Sequence, residues 1–214
     1  MTRKSSLYEL SGTEDIVRTI QKRFVNYFRN NGPVLDIGCG RGIFLELLAG
    51  AGIEAIGVDR SKESVHLCKQ GGWRVEQDDA CEYLRRVPDR FGGIFCSHLI
   101  EHMPYEDALL LLRLCYAALR PNGVLVVVTP NPEDLAVISE IFWLDPTHIR
   151  PYPRLLLKQM LDSVGFAIKK DYQFLGTWRV VGRRSLLAHA FRRLVLGKYF
   201  GKQNTFVLAQ KELD

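Results

Sequence analysis

Three aspartates, Asp36, Asp59 and Asp79, each sit in or just after a short apolar run. A fourth such run ends in Ser97-His98-Leu99-Ile100-Glu101-His102, and a proline-bounded stretch, DPTHIRPY, carries His148. Carboxylates at strand ends accept hydrogen bonds from the hydroxyl pair of a sugar or from an amino group. Histidine ionises near neutral pH, so it can take a proton from a weakly acidic hydroxyl. His98, Glu101, His102 and His148 are therefore the candidate general bases, with His98, Glu101 and His148 carried forward as catalytic. The first of the three aspartates lies within VLDIGCGRGIF, residues 34–44, with glycine at positions 38, 40 and 42.

That loop nearly matches the dinucleotide fingerprint G-x-G-x-x-G, but its third glycine comes one residue early and Ile43 takes the expected place. No G-K-[ST] follows it, so the phosphate-binding lysine of a P-loop is absent. Asp36 just before the loop would repel a pyrophosphate and attract an ammonium group, although Arg41 lies within it. Asp59 follows Gly42 by 17 residues, where an acid at the end of a second strand can hold both hydroxyls of a ribose. Asp79 suits the amino group of a base, with the backbone of Ala80 beside it for a ring nitrogen. A nucleoside bearing an amino acid satisfies all these preferences, and S-adenosylmethionine is such a molecule. Its amino group would meet Asp36, and its carboxylate the backbone N–H groups near the start of the following helix.

These residues need a scaffold that gathers strand ends. VLDIG, EAIGVD, WRVEQ, GGIFCSH and VLVVVTP read as strands, and they alternate with the helical stretches GIFLELLAGAG, KESVHLCKQGG, ACEYLRRV and YEDALLLLRLCYAALRPNG. A preceding helix begins near Thr13 and stops at Asn30-Asn31-Gly32-Pro33. RPYPRLLLKQMLDSVGF reads as a further helix closed by Gly165, and AIKKDYQFLG and NTFVLAQKE as two closing strands. The expectation is an α/β, Rossmann-like three-layer αβα sandwich, with a mostly parallel seven-stranded sheet and an antiparallel C-terminal strand. Ligand should bind beyond the carboxyl ends of the strands, at the switch point beside the first. One domain over 1–214 is expected, with an N-terminal helix over 1–32, a cofactor-binding core over 33–132, and an acceptor-side region over 133–214 that holds a basic insertion at about 177–202.

The ordered set of motifs, VLDIGCGRGIFLELLAGAG, AIGVDRS, DDA, FCSHLIEHMP and LRPNGVLVVVTPNP, resembles the class I S-adenosylmethionine-dependent methyltransferases over roughly residues 33–132. The family's acidic glycine motif falls on Asp36, Gly38, Gly40 and Gly42, its ribose acid on Asp59, and its adenine-side pair on Asp79 and Ala80. Its segment after strand four, often ending Leu-Glu-His, falls on Leu99–His102, with Ile100 in place of leucine. The resemblance implies cofactor contacts from Asp36, Gly38, Cys39, Gly40, Gly42, Asp59, Arg60, Asp79, Ala80, Ser97 and His98, and S-adenosyl-L-homocysteine as product. Residues 142–166, FWLDPTHIRPYPRLLLKQMLDSVGF, are similar to methyltransferases associated with bacterial polysaccharide and O-antigen synthesis. That implies O-methylation of a sugar, glycan or other small-molecule hydroxyl, or of a glycan phosphate. Arg150 and Tyr152 are candidates for holding such an acceptor.

Other readings stay open. The chain also reads as a silent S-adenosylmethionine-binding protein, or as a methyltransferase for a lipid, quinone or macromolecule. A nicotinamide oxidoreductase is disfavoured by Asp36 and the glycine spacing. His98-x-x-Glu101-His102 matches the inverted zinc-protease motif, but a zinc site needs a third protein ligand and a helix carrying the pair, so no metal is expected. His66 and His189 read as ordinary helix residues.

The chain has 214 residues, 47% hydrophobic and 25% charged, with a net charge of +5. The positive excess falls in one segment, where Arg179, Arg183, Arg184, Arg192, Arg193, Lys198 and Lys202 accompany the helical apolar series Leu186, Leu187, Phe191, Leu194 and Val195. The 179–202 segment could lie on anionic lipid, bind an anionic substrate, or pack as an ordinary amphipathic helix. No nucleic acid is expected, since neither a basic-aromatic pattern nor the Asn/Asp-Pro-Pro-Tyr segment of base-amino methylases is present. Five cysteines without a C-x-x-C pair read as free thiols. With no apolar leader or spanning run, the expected location is cytoplasmic, with peripheral membrane contact through the basic segment as an option. Oligomeric state is not legible.

Overall fold

The computed structural model describes residues 14–174, 194–195, 197–199 and 201–212. Helix α1 (Glu14–Lys22) opens with two acids at its N-terminus, where the helix dipole favours them. A 3-10 turn over Val25–Phe28 carries its apolar stripe onward. Strand β1 (Val34–Ile37), helix α2 (Ile43–Gly50), β2 (Ala55–Asp59), α3 (Lys62–Gln70), β3 (Val75–Gln77), α4 (Ala80–Arg85) and β4 (Phe91–Ser97) follow in strict alternation. Then come α5 (Tyr105–Ala118), β5 (Leu119–Pro130), α6 (Leu135–Ser139), α7 (Arg154–Val164), β6 (Phe166–Phe174) and β7 (Asn204–Lys211).

The sheet order is β3-β2-β1-β4-β5-β7-β6. Only β7 runs antiparallel to its neighbours, β5 and β6. The seven-stranded, mostly parallel αβα sheet expected from the sequence is thus present. The chain leaves β1 toward β2 and β3, then returns to lay β4 on the other side of β1. That reversal is the switch point, and the loops after β1 and β4 open side by side there.

Side-chain alternation divides the core. Leu35, Ile37, Ile94, Cys96, Leu125, Val127, Val207 and Ala209 point to the face covered by α4, α5 and α7. Val34, Phe95, Val124, Val126, Val128 and Phe206 point to the other, where Phe24, Phe28, Phe44 and Leu48 pack. On that second face Phe44 stacks on Phe95 at 3.8 Å and Phe24 on Phe206 at 5.1 Å. Helix α3 covers its own smaller cluster, which includes Cys39, Leu45, Val65 and Cys68.

Helix α5 ends five residues sooner than its sequence pattern suggests, and β5 takes over at Leu119. Pro121 disfavours helical backbone at Arg120, and Asn122 adopts a left-handed φ of 63°. Residues 175–193 lie outside the described residues, and with them most of the basic segment and His189. Of that segment, Leu194 and Val195 are exposed. Among the described residues no helix is long and apolar enough to cross a membrane.

Gly92 and Gly93 allow the chain after α1 to lie flush on β4. A Cβ on Gly92 would sit 2.6 Å from the main-chain carbon of Asn31, which has no rotamer to yield. Gly92→Ala is therefore expected to lower stability by about 1–3 kcal/mol without altering the ligand-facing loops. Urea unfolding checks this, and an unchanged midpoint contradicts it.

Candidate functional site

On the cofactor side, the loop after β1 is a series of left-handed turns. Gly38, Gly40 and Gly42 have φ of 71°, 53° and 79°, a region that side chains with a Cβ rarely adopt. The early third glycine thereby gets a physical reason: Gly42 is the N-cap of α2. It also lies against α3, where an added Cβ would meet Cys68 Sγ at 2.9 Å. No side chain caps α2, so its first N–H groups remain available for an anion.

Asp36, in mid-β1, is only 3% exposed. Burial is the chief cause that pushes its pKa well above the carboxylate range, and the charges of Cys68 and Asp59 add to it. Among the described residues no cation pairs with it, so a ligand ammonium would meet a real electrostatic need. Asp59 already has structural duties. Its Oδ2 accepts from the Gly40 N–H at 2.8 Å, and its Oδ1 from the Ser61 N–H at 2.8 Å. Each carboxylate oxygen keeps a further lone pair, so a ribose can still be held while the same residue braces the loop. Asp79 is the N-cap of α4, its Oδ1 accepting from Cys81 and Glu82 N–H. Its Oδ2 lies 3.9 Å from the exposed Arg60 guanidinium, and Ala80 is buried beside it. Arg41 pairs with Glu14 at 2.9 Å.

The segment after β4 supplies the other wall. His98 has a left-handed φ of 53°, rare for a residue with a Cβ. Its N–H is held by the Val128 carbonyl at 2.8 Å. Ser97, just before it, is half-buried at the strand end. The His98 ring stays half-exposed, and its Nδ1 lies 3.0 Å from Glu101 Oε1. Glu101 has no exposed surface. Its Oε2 accepts from Thr129 Oγ1 at 3.1 Å. Burial opposes its ionisation most strongly, but the His98 hydrogen bond and charge, a backbone hydrogen bond and His102 together outweigh it. The net pKa lies below the usual carboxylate value. An ionised Glu101 accepts from Nδ1–H, and when the His98 imidazole is neutral its Nε2 carries the lone pair.

The DPTHIRPY loop docks on this segment. The Glu101 main-chain oxygen accepts from Ile149 and Arg150 N–H at 2.8 and 3.2 Å. His148 is brought to 4.7 Å from His102, ring centre to ring centre. Tyr152 is corrected from acceptor ligand to anchor: it is wholly buried, and its hydroxyl donates to the Met103 carbonyl at 2.9 Å. Burial pushes its pKa up to about 12. Arg150 is exposed, 5.4 Å from the ring centre of Tyr105. His66 is an exposed residue on α3. Thr129 lies at a strand end that the sequence marks, but without an assigned role. The Thr-Pro ending of a fifth strand marks its position, but nothing there signals a contact with Glu101.

A family model described as a methyltransferase domain matches residues 11–170. A solved S-adenosylmethionine-dependent methyltransferase from Archaeoglobus fulgidus is 32% identical, with a TM-score of 0.82 over 96% of this chain and 97% of that one. The ubiquinone biosynthesis O-methyltransferase of Aliivibrio fischeri (strain ATCC 700601 / ES114) is 29% identical over 139 residues, 59% of this chain and 58% of that protein. Its namesake in Haemophilus ducreyi is 35% identical over 108 residues, 46% of this chain and 45% of that protein. The chain spans about half the length of the curated relatives it matches. A glycine loop whose dihedrals need glycine, a buried Asp36 with no cationic partner among the described residues and a sheet of this order agree with these matches, and the chain belongs to the methyltransferase-domain family, among the class I S-adenosylmethionine-dependent methyltransferases.

Proposed function

We propose that this protein methylates a hydroxyl oxygen of a small molecule or glycan, with His98 as general base and Glu101 as the residue that orients it. The observation that carries this is the 3.0 Å contact between half-exposed His98 and fully buried Glu101, at the strand end facing the glycine loop. When bound, the cofactor supplies an electrophilic methyl group on a cationic sulfur. Asp36, the α2 N-terminus and Asp59 would hold its ammonium, carboxylate and ribose. Glu101 fixes Nδ1–H of His98, so Nε2 can accept the acceptor's hydroxyl proton as the oxygen attacks. Most of the remaining rate enhancement comes from holding the reactants in line.

A second reading takes a phenolic, quinone-like acceptor. Trp143, Leu144, Ile149 and Leu155 are exposed in the segments that hold and flank the His148 loop. The ubiquinone O-methyltransferases among the relatives also favour it. Methyl transfer to a panel of sugar, glycan and phenolic hydroxyls separates the two. Binding without turnover on any of them would favour a silent cofactor-binding protein.

His98→Ala should lower kcat by about 10²–10⁴-fold while S-adenosylmethionine affinity in calorimetry stays nearly constant. Equal losses in both would make His98 a cofactor contact instead. Asp59→Ala should weaken cofactor binding at least ~10-fold, since ribose hydrogen bonds and the loop brace go together; unchanged affinity would remove Asp59 from the site. Asp36 gives a pH signature. Its raised pKa in the free protein favours the protonated acid, whereas an ammonium beside it favours the carboxylate. Binding should release a proton, and affinity should rise as pH rises toward the free protein's Asp36 pKa. Calorimetry in buffers of different ionisation enthalpy reads this directly, and Asp36→Asn should abolish the proton release.

A further inference from the structure

We infer that Glu101, His102 and His148 form a binding site for a borderline divalent cation of the zinc type, at the edge of the acceptor region. One potential ligand atom from each residue lies within 4.8 Å of the other two. Zinc–ligand bonds of about 2.0–2.1 Å place tetrahedral ligands roughly 3.4 Å apart, so side-chain movements of roughly 1 Å would close the site.

The hydrogen bonds around the two rings prepare them as ligands. His148 Nδ1 lies 2.6 Å from the Phe142 carbonyl, which can only accept, so Nδ1 carries the hydrogen. His102 Nδ1 faces the Thr147 carbonyl at 3.2 Å and Thr147 Oγ1 at 2.9 Å. The Thr147 hydroxyl donates its own hydrogen to Asp145 Oδ1 at 2.6 Å, so here too Nδ1 is the donor. In the neutral imidazole each histidine then carries its lone pair on Nε2, which in His148 lies 4.0 Å from Asp145 Oδ2. Each Nδ1–H is anchored by a neighbouring oxygen, the arrangement that orients metal-binding imidazoles. Glu101 adds the negative charge, and its oxygens keep lone pairs beyond those used by His98 and Thr129. Two imidazoles and one carboxylate suit zinc and its neighbours in the first transition row better than magnesium or calcium.

The 98–102 segment alone would pair His98 with His102. The fold instead turns His98 toward Glu101 and brings the third ligand from 46 residues away, which meets the objection that the motif lacked one. With three protein ligands, such a site keeps a coordination position open for water or an acceptor oxygen. The site does not depend on which acceptor is methylated, or on whether His98 is the base.

The test uses full-length protein stripped with a chelator. Cobalt(II), a spectroscopic stand-in for zinc, should bind at one equivalent and give intensified visible absorption. Zinc should raise the melting temperature. His102→Ala and His148→Ala should each weaken cobalt binding at least ~10-fold and abolish the zinc-induced rise, whereas His66→Ala should leave both as in the parent. Calorimetry with S-adenosylmethionine on the same samples shows whether each variant is folded and keeps the cofactor site. If a variant loses cofactor binding, His148→Gln, which keeps a polar group in the loop, takes its place. Parent protein that binds cofactor but no cobalt overturns the site and leaves the methyltransferase reading intact. So does cobalt binding that is the same in the parent and the histidine variants.

Discussion

The wall of the site formed after β4 depends on one buried carboxylate. Glu101 has no exposed surface, yet its pKa lies below the ordinary value. A charge in that position is tolerable only when its lone pairs are met. His98 and Thr129 meet the side chain, and Ile149 and Arg150 meet its main-chain oxygen. One residue thereby ties the end of β4 to β5 and to the loop at 145–150. The left-handed backbone at His98 follows from the same constraint, because it lets the ring fold back onto Glu101 while its own N–H stays bonded to Val128. Strain of this kind persists where the surroundings over-determine it, and such places tend to be functional.

The cofactor side uses the same device with different residues. Asp59 braces Gly40 and Ser61, and Asp79 caps α4, each through main-chain N–H groups. These carboxylates are fixed before any ligand arrives, and their remaining lone pairs already point from rigid elements. A ligand that meets them loses little more than its own freedom on binding. Asp36 differs, because no side chain among the described residues neutralises it. It is the acid whose protonation should change most when a cation comes near.

Much of this was legible in the sequence, for identifiable reasons. Alternating apolar runs and helical stripes give the sheet, because the central strands β1, β4 and β5 are buried on both faces over most of their length and the helices bury one side. The three glycines and the three aspartates announce the cofactor side, because only glycine suits those dihedrals and acids at strand ends have few structural uses besides caps and turns. The acceptor side was less legible. Tyr152 reads as a candidate acceptor ligand, but its loop folds inward through hydrogen bonds to the main chain of Glu101, and main-chain acceptors leave no mark in a sequence. The meeting of His102 with His148 is hidden for the same reason. The H-x-x-E-H spacing points to a pair on one helical face, and the left-handed His98 breaks that helix before it can form.

This difference in legibility has a physical origin. The cofactor is constant, so its site can be written in residue types that few other positions require. The segment over residues 135–153 is built from short helices and turns, where Trp143, Leu144 and Ile149 are exposed while Phe142 and Tyr152 anchor it from beneath. Anchors of that sort hold the loop whatever its outer side chains are. The outward residues can therefore change at little cost to stability, while Glu101 and the groups that satisfy it cannot. A scaffold divided in this way holds His98 and Glu101 in place whatever its outward side chains are.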